Sequence, residues 1–304
     1  MRPLLNVSLL LALGCGSSAP APAAPDTPLT DTTAGTEPLE DEDAPRADDE
    51  PAPPAAAPRG VDVQQMSRAP FEGAPTVRIL SPRDGEVIRR GPVALRLEVR
   101  DWPLSPPPGR HVHISVDGRR EMAVSDVSGS IALDALYEEA IGEPLAEGSH
   151  VLRAFLGRAD HESVKRDGAF ATVVFHHRTR TRGFRFDASA PALIYGRPQG
   201  CASGRTRLLD FYLANVPTLS EEGYRVRWAI DDLTGQTTEW VPHRIDRVGP
   251  GVHQVELALV GPDGQDVEGS TFSRSFRVDA DCPTYAVRAY QPTAAEDDDD
   301  EEGL

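Results

Sequence analysis

The stretch Leu97 to Gly118, LEVRDWPLSPPPGRHVHISVDG, recurs without a gap 114 residues later as Phe211 to Asp232, FYLANVPTLSEEGYRVRWAIDD. Pro103 falls on Pro217, Gly109 on Gly223 and Asp117 on Asp231. In each copy a polar turn feeds a run of alternating character: Val112, Ile114 and Val116 in the first, Val226, Trp228 and Ile230 in the second. Successive side chains of a strand point to opposite faces, so this period of two marks a half-buried strand. A second matched block, Gly148-Ser149-His150 and Gly251-Val252-His253, precedes another such run in each copy. The simplest account is one fold written twice, as two domains of about 105 residues.

Outward from the repeat the same alternation continues, interrupted by Gly, Pro and Asp turns. It predicts strands over Thr76 to Leu80, Val93 to Arg100, His111 to Val116, His150 to Leu156 and Phe170 to His176. In the second copy it predicts Leu208 to Ala214, Tyr224 to Ile230, His253 to Val260 and Phe272 to Val278. Only Ile131 to Ala140 reads as helix. The fold class is therefore all-β, with domains at residues 76–180 and 181–290 and the seam in the Arg-rich stretch Arg178 to Arg185. Alternating Arg178, Arg180, Arg182 and Arg185 read as a solvated strand edge rather than a polyanion site.

Charge sharpens the division. The net charge of −17 is uneven: of 48 acids, 12 stand in residues 16–75 and 7 in residues 291–304, leaving 29 acids against 27 bases between them. A near-neutral centre offers no electrostatic footprint for nucleic acid. Residues 16–75, rich in Ala, Pro, Asp, Glu and Thr, cannot bury enough apolar surface to offset ordering entropy, and read as a disordered tether. Residues 291–304, with Glu296 to Glu302, read as a second disordered segment.

At the N-terminus one Arg precedes the apolar run Leu4 to Leu13, which ends in Gly14-Cys15-Gly16. Such a run is too short to span a bilayer and matches a signal h-region. It resembles a bacterial lipoprotein signal, with Ala12 where Leu is more usual. The resemblance implies that residues 1–15 form the signal peptide, with Cys15 lipidated (palmitate among its acyl chains), and a membrane-anchored place in the cell envelope. Gly16 after the cysteine implies the outer membrane. In an exported chain the remaining cysteines, Cys201 and Cys282, are expected to form one disulfide closing the second domain. In the chain-entropy account a loop of about 80 residues gives on the order of 4–5 kcal/mol.

Ile79-Leu80-Ser81-Pro82-Arg83-Asp84-Gly85 and the Gly-x-His start of a late strand resemble bacterial immunoglobulin-like surface domains. That likeness implies two tandem seven-stranded immunoglobulin-like β-sandwiches. The run His161-Glu162-Ser163-Val164-Lys165-Arg166-Asp167-Gly168-Ala169-Phe170 resembles an uncharacterised family of bacterial exported proteins carrying HES-x-K-x-x-GAF before the last strand, and implies fold and location only.

The repeat separates fold from function, because what both copies share belongs to the scaffold. His150 and His253 share a place and are expected to be structural. His111 and His113 stand alone, since the second copy has Arg225 and Arg227 there. Alternation puts them on the face opposite Val112, Ile114 and Val116, about 6–7 Å apart along the strand, close enough to share a metal ion. His161 would be a third ligand if its turn folds over that face, with Glu162 or Asp117 as a fourth. Neutral imidazoles suit Cu(II), Zn or Ni. The competing expectation is surface histidines, with Glu162 and Lys165 as a local ion pair and Ser163 capping a turn. No Gly-x-Ser-x-Gly, phosphate loop or His-Glu-x-x-His is present. The expected function is a non-catalytic binding or structural module meeting an envelope protein or polysaccharide, with no cofactor. The alternative is a metal-binding lipoprotein using His111, His113 and His161.

Overall fold

A computed structural model describes residues 61–68, 73–106, 109–203 and 206–282, all within the compact unit 55–304. The expected signal peptide with Cys15, the expected tether up to residue 60 and the acidic C-terminal segment lie outside the described residues. Among the described residues no helix is long and apolar enough to cross a membrane.

The chain opens with β1 (Asp62–Gln65). The first copy follows as β2 (Thr76–Ser81), β3 (Glu86–Ile88), β4 (Ala94–Arg100), β5 (His111–Val116), β6 (Met122–Val124), β7 (Ile131–Ala132), α1 (Leu133–Ile141), β8 (Gly148–Gly157) and β9 (Phe170–His177). The second copy runs β10 (Ala192–Arg197), β11 (Gly200–Ala202), β12 (Arg207–Ala214), β13 (Arg225–Ile230), β14 (Leu233–Thr237), β15 (His243–Asp246), β16 (Gly251–Val260) and β17 (Asp266–Val278). All nine predicted strands and the predicted helix are present.

Each copy is a two-layer sandwich with the same topology. In the first, β2-β4-β7 faces β3-β9-β8-β5-β6; in the second, β15-β12-β10 faces β11-β17-β16-β13-β14. The short strands β3 and β11 run parallel to β9 and β17, and the other pairings are antiparallel. Each copy thus has eight strands rather than seven, an immunoglobulin-like arrangement in which the first strand pairs in one sheet and its continuation in the other.

The cores follow from the alternation. Val77, Leu95, Leu97, Trp102, Val112, Ile114, Val116, Leu152, Leu156 and Phe175 fill the first, with Leu133, Leu136 and Tyr137 of α1 packed at its side. Leu209, Phe211, Leu213, Val226, Ile230, Ile245, Val255, Leu257 and Phe276 fill the second. Cys201 and Cys282 are bonded, closing the second sandwich at its ends.

The repeat also carries one polar brace twice. Asp117 and Asp231 both adopt a left-handed backbone, with φ of 52° and 50°. Each carboxylate accepts from a histidine Nδ1 at 2.7 Å, His150 and His253 respectively, and from the next backbone N–H, Val151 or Gln254. The other nitrogen of each ring donates to a carbonyl four residues earlier, Ala146 or Gly249. A buried polar group is tolerated when every atom is paired, and here both rings are fully used.

One expectation is corrected. The tether was expected to run unstructured through Pro75, but Asp62 to Gln65 pairs antiparallel with β15, from Asp62 opposite Asp246 to Gln65 opposite His243. The sheet of the second sandwich therefore gains an edge strand from chain that precedes the first, as β1-β15-β12-β10. Val61 and Val63 reach the second core, which is why this short stretch settles there.

Candidate metal centre

Strand β5 is buried along its whole length. One face is the first core. The other, carrying His111, His113 and Ser115, was expected to meet solvent, but it is covered by the second sandwich. A separate apolar cluster marks this seam: Phe155 and Phe170 of the first sandwich against Ile194, Tyr212 and Trp240 of the second. Phe170 stacks on Tyr212 with centroids 4.9 Å apart, and the Tyr212 hydroxyl donates to the Arg166 carbonyl at 2.9 Å.

The motif from His161 to Phe170 supplies most of the rest. Lys165, the chain's only lysine, reaches across to Asp210 at 2.5 Å and the Phe211 carbonyl at 2.9 Å. Ser163 donates its backbone N–H to the same Asp210 at 2.8 Å. The Lys165–Asp210 pair is almost fully buried, so it contributes only because both partners are present. The expected Glu162–Lys165 pair is not formed. Glu162 instead meets Arg68, at 2.5 Å, and Arg158, at 3.6 Å, while Asp160 also pairs with Arg68. The segment leaving β1 therefore holds down the turn that bears His161.

That turn places His161 against the other two histidines. Gly157 and Ser163 bridge, and the Arg158 N–H donates to the Glu162 carbonyl, folding His161 back over the face. Nitrogens of His111, His113 and His161 all lie within 4.8 Å of one another. Ring centroids are 4.5 Å apart for His111–His113 and His111–His161, and 5.6 Å for His113–His161. All three rings are buried.

The floor of the cluster is strand β8. His111 stands opposite Gly157 and His113 opposite Phe155, whose ring stacks on it at 4.9 Å. A Cβ on Gly157 would come within 2.5 Å of His113 Nε2 and 2.9 Å of His111 Nε2. Only glycine leaves room for both imidazoles. In the second copy the matched pair is Arg225 opposite Val260.

Burial holds the rings neutral. It pushes His111 down to about 3, with His113 adding to the effect, and His113 well below the usual imidazole range, with Arg197 adding. His161 is shifted the same way by burial and by Arg197. The Glu121 carboxylate stands beside the cluster, with Oε2 3.2 Å from His113 Nδ1 and 3.5 Å from Arg197 of β10. Gln199 donates to it at 3.1 Å. Burial raises Glu121 to about 7 against the opposing pull of Arg197.

The three predicted metal residues are thus brought together, whereas neither proposed fourth ligand joins them. Asp117 is engaged in its brace with His150, and Glu162 turns to Arg68 and Arg158. Glu121 was missed, although Met122 and Val124 alternate into the core and so place Glu121 on the histidine face.

No protein-family model matches the chain, and no curated protein matches it. Solved structures do show a likeness. The fibronectin(III)-like modules of CbhA from Clostridium thermocellum align with 67% of this chain and 94% of theirs, at 15% identity and a TM-score of 0.24. SGBP-B of the Bacteroides ovatus mixed-linkage glucan utilization locus, in complex with a mixed-linkage heptasaccharide, aligns over 67% of this chain and 47% of its own, at 13% identity and 0.21. The Ig1-2 module of the Drosophila receptor protein tyrosine phosphatase DLAR aligns over 67% and 99%, at 12% identity and 0.22.

Proposed function

We propose that the chain is a lipid-anchored, non-catalytic module of the bacterial cell envelope whose two sandwiches act as one rigid binding or structural body. The observation that carries this reading is the seam. Two independent domains on a flexible linker would not bury the sole lysine against an aspartate of the other domain, nor close aromatic rings over the junction. A fixed seam holds loops of both sandwiches at a set spacing, so that an envelope protein or polysaccharide could be met by both at once without a further ordering cost.

Support for anchoring comes from the sequence: the run Leu4 to Leu13 before Cys15, and the acidic, Pro-rich stretch after it. High local concentration at the membrane would then help a weak partner contact. The test is Cys15→Ser in the full chain. It should leave the membrane fraction while keeping its far-UV spectrum and melting temperature. Retention of the variant in the membrane fraction would contradict the anchor. Affinity capture from intact envelopes, with and without the first sandwich, then identifies the partner.

A further inference from the structure

The three buried histidines carry an inference independent of the anchor. The His111 Nδ1 lies 2.8 Å from the Gly109 carbonyl, which can only accept, so Nδ1 bears the proton and a neutral His111 presents a bare lone pair at Nε2. That Nε2 faces His113 Nε2 at 3.1 Å. His113 Nδ1 is buried 3.2 Å from Glu121 Oε2 and makes no hydrogen bond to it. With the proton of a neutral His113 on Nδ1, two lone pairs confront each other across 3.1 Å, an arrangement that a cation between them satisfies.

Two nitrogens bound to one zinc-like ion at about 2.0–2.1 Å with a tetrahedral angle stand about 3.3 Å apart. The observed separation fits. The outer partner of His111 fits as well, since metal-bound imidazoles usually donate their second N–H to a carbonyl or carboxylate, the role that the Gly109 carbonyl fills, while a carboxylate, Glu121, stands 3.2 Å from His113 Nδ1. Glu121 also lies between His113 and Arg197, its Oε2 3.2 Å from the one and 3.5 Å from the other. Gly157 clears the space beneath both Nε2 atoms.

We infer that His111 and His113, joined by His161, form a three-histidine site for a divalent transition-metal ion of the zinc or copper class, sealed at the seam between the sandwiches. The competing arrangement is a metal-free relay in which His113 donates its Nε2–H to His111 Nε2 and His111 donates its Nδ1–H to the Gly109 carbonyl. That relay gives His161 no part.

The test is metal uptake by the full-length Cys15→Ser protein, stripped with chelator, incubated with Zn2+, Cu2+ or Co2+ and dialysed. One equivalent per chain is expected in the native sequence beyond whatever the His111→Ala/His113→Ala variant retains. Bound Co2+ should give the intense visible bands of a low-coordinate nitrogen site. Because the double variant could fail to fold, His161→Ala, which removes a turn residue rather than a strand residue, is the second probe and should also lose the bands. Gly157→Ala should lose them while His253→Ala, on the matching strand of the other copy, keeps them. A folded native protein that takes up no more metal than its variants would overturn the inference and leave the relay. So would uptake that survives loss of all three histidines.

Discussion

Strands β5 and β13 are copies of each other in sequence position, topology and inward face, yet their outward faces have opposite fates. His111 and His113 are sealed under the second sandwich, whereas Arg225 is half-buried and Arg227 lies in solvent, paired with Asp266 at 2.8 Å. The strand beneath changes in step: Gly157 under the histidines, Val260 beside Arg225. By contrast, the Asp–His brace is the same in both copies to within 0.1 Å at the Asp–His bond, 2.7 Å in each. Duplication therefore sorts the residues. Those kept twice hold the sandwich together, and those that diverged on β5 and β8 form the seam and the histidine cluster.

The hardest test of that sorting is Lys165→Met. It leaves Asp210 buried without its cation, so the loss should be about 3–5 kcal/mol. Adding Asp210→Leu should recover much of it. Urea unfolding followed by tryptophan fluorescence measures both, and a loss under about 1 kcal/mol would mean that the seam is open in solution. Next come Asp117→Ala and Asp231→Ala, each removing one brace, with an expected cost of about 1–3 kcal/mol. Equal losses support the shared scaffold, and a loss confined to one copy would break the comparison.

The first brace also makes a pH prediction. Burial alone would lower the His150 pKa, but the hydrogen bond and charge of Asp117, with the Ala146 carbonyl, outweigh it and raise it above the unfolded value. The contribution is then complete below the unfolded pKa of about 6.5 and fades as pH rises through the folded value. The stability gap between the native protein and His150→Gln should therefore shrink from about pH 6 to about pH 9. A gap that widened would reverse the sign. Arg227→Ala removes an exposed pair and should change stability by less than about 1 kcal/mol.

Much of this was legible in the sequence. Alternation located nine strands, the repeat located the scaffold histidines, and the lone cysteine pair located the disulfide. The strands that escaped notice lack the signal for physical reasons. Ala192 to Arg197 is buried on both faces, one in the core and one in the seam, so it does not alternate. Asp62 to Gln65 has a single apolar residue and takes its order from the sheet edge it joins. Leu233 to Thr237 is mostly polar and pairs with β13 alone. The cluster of His111, His113 and His161 was legible as a possibility, because a period of two shows which residues share a face. What covers that face is a fact of another domain 80 to 100 residues away, and no local pattern records it. The same limit hid the Lys165–Asp210 pair and suggested a local Glu162–Lys165 pair instead.

The central claim is that the two sandwiches form one body through the face of β5 and β8. Residual dipolar couplings measured on the Cys15→Ser protein test it most directly. The account predicts that amides of residues 76–177 and 192–278 fit a single alignment tensor. Two tensors of different magnitude or orientation, one for each sandwich, would contradict it.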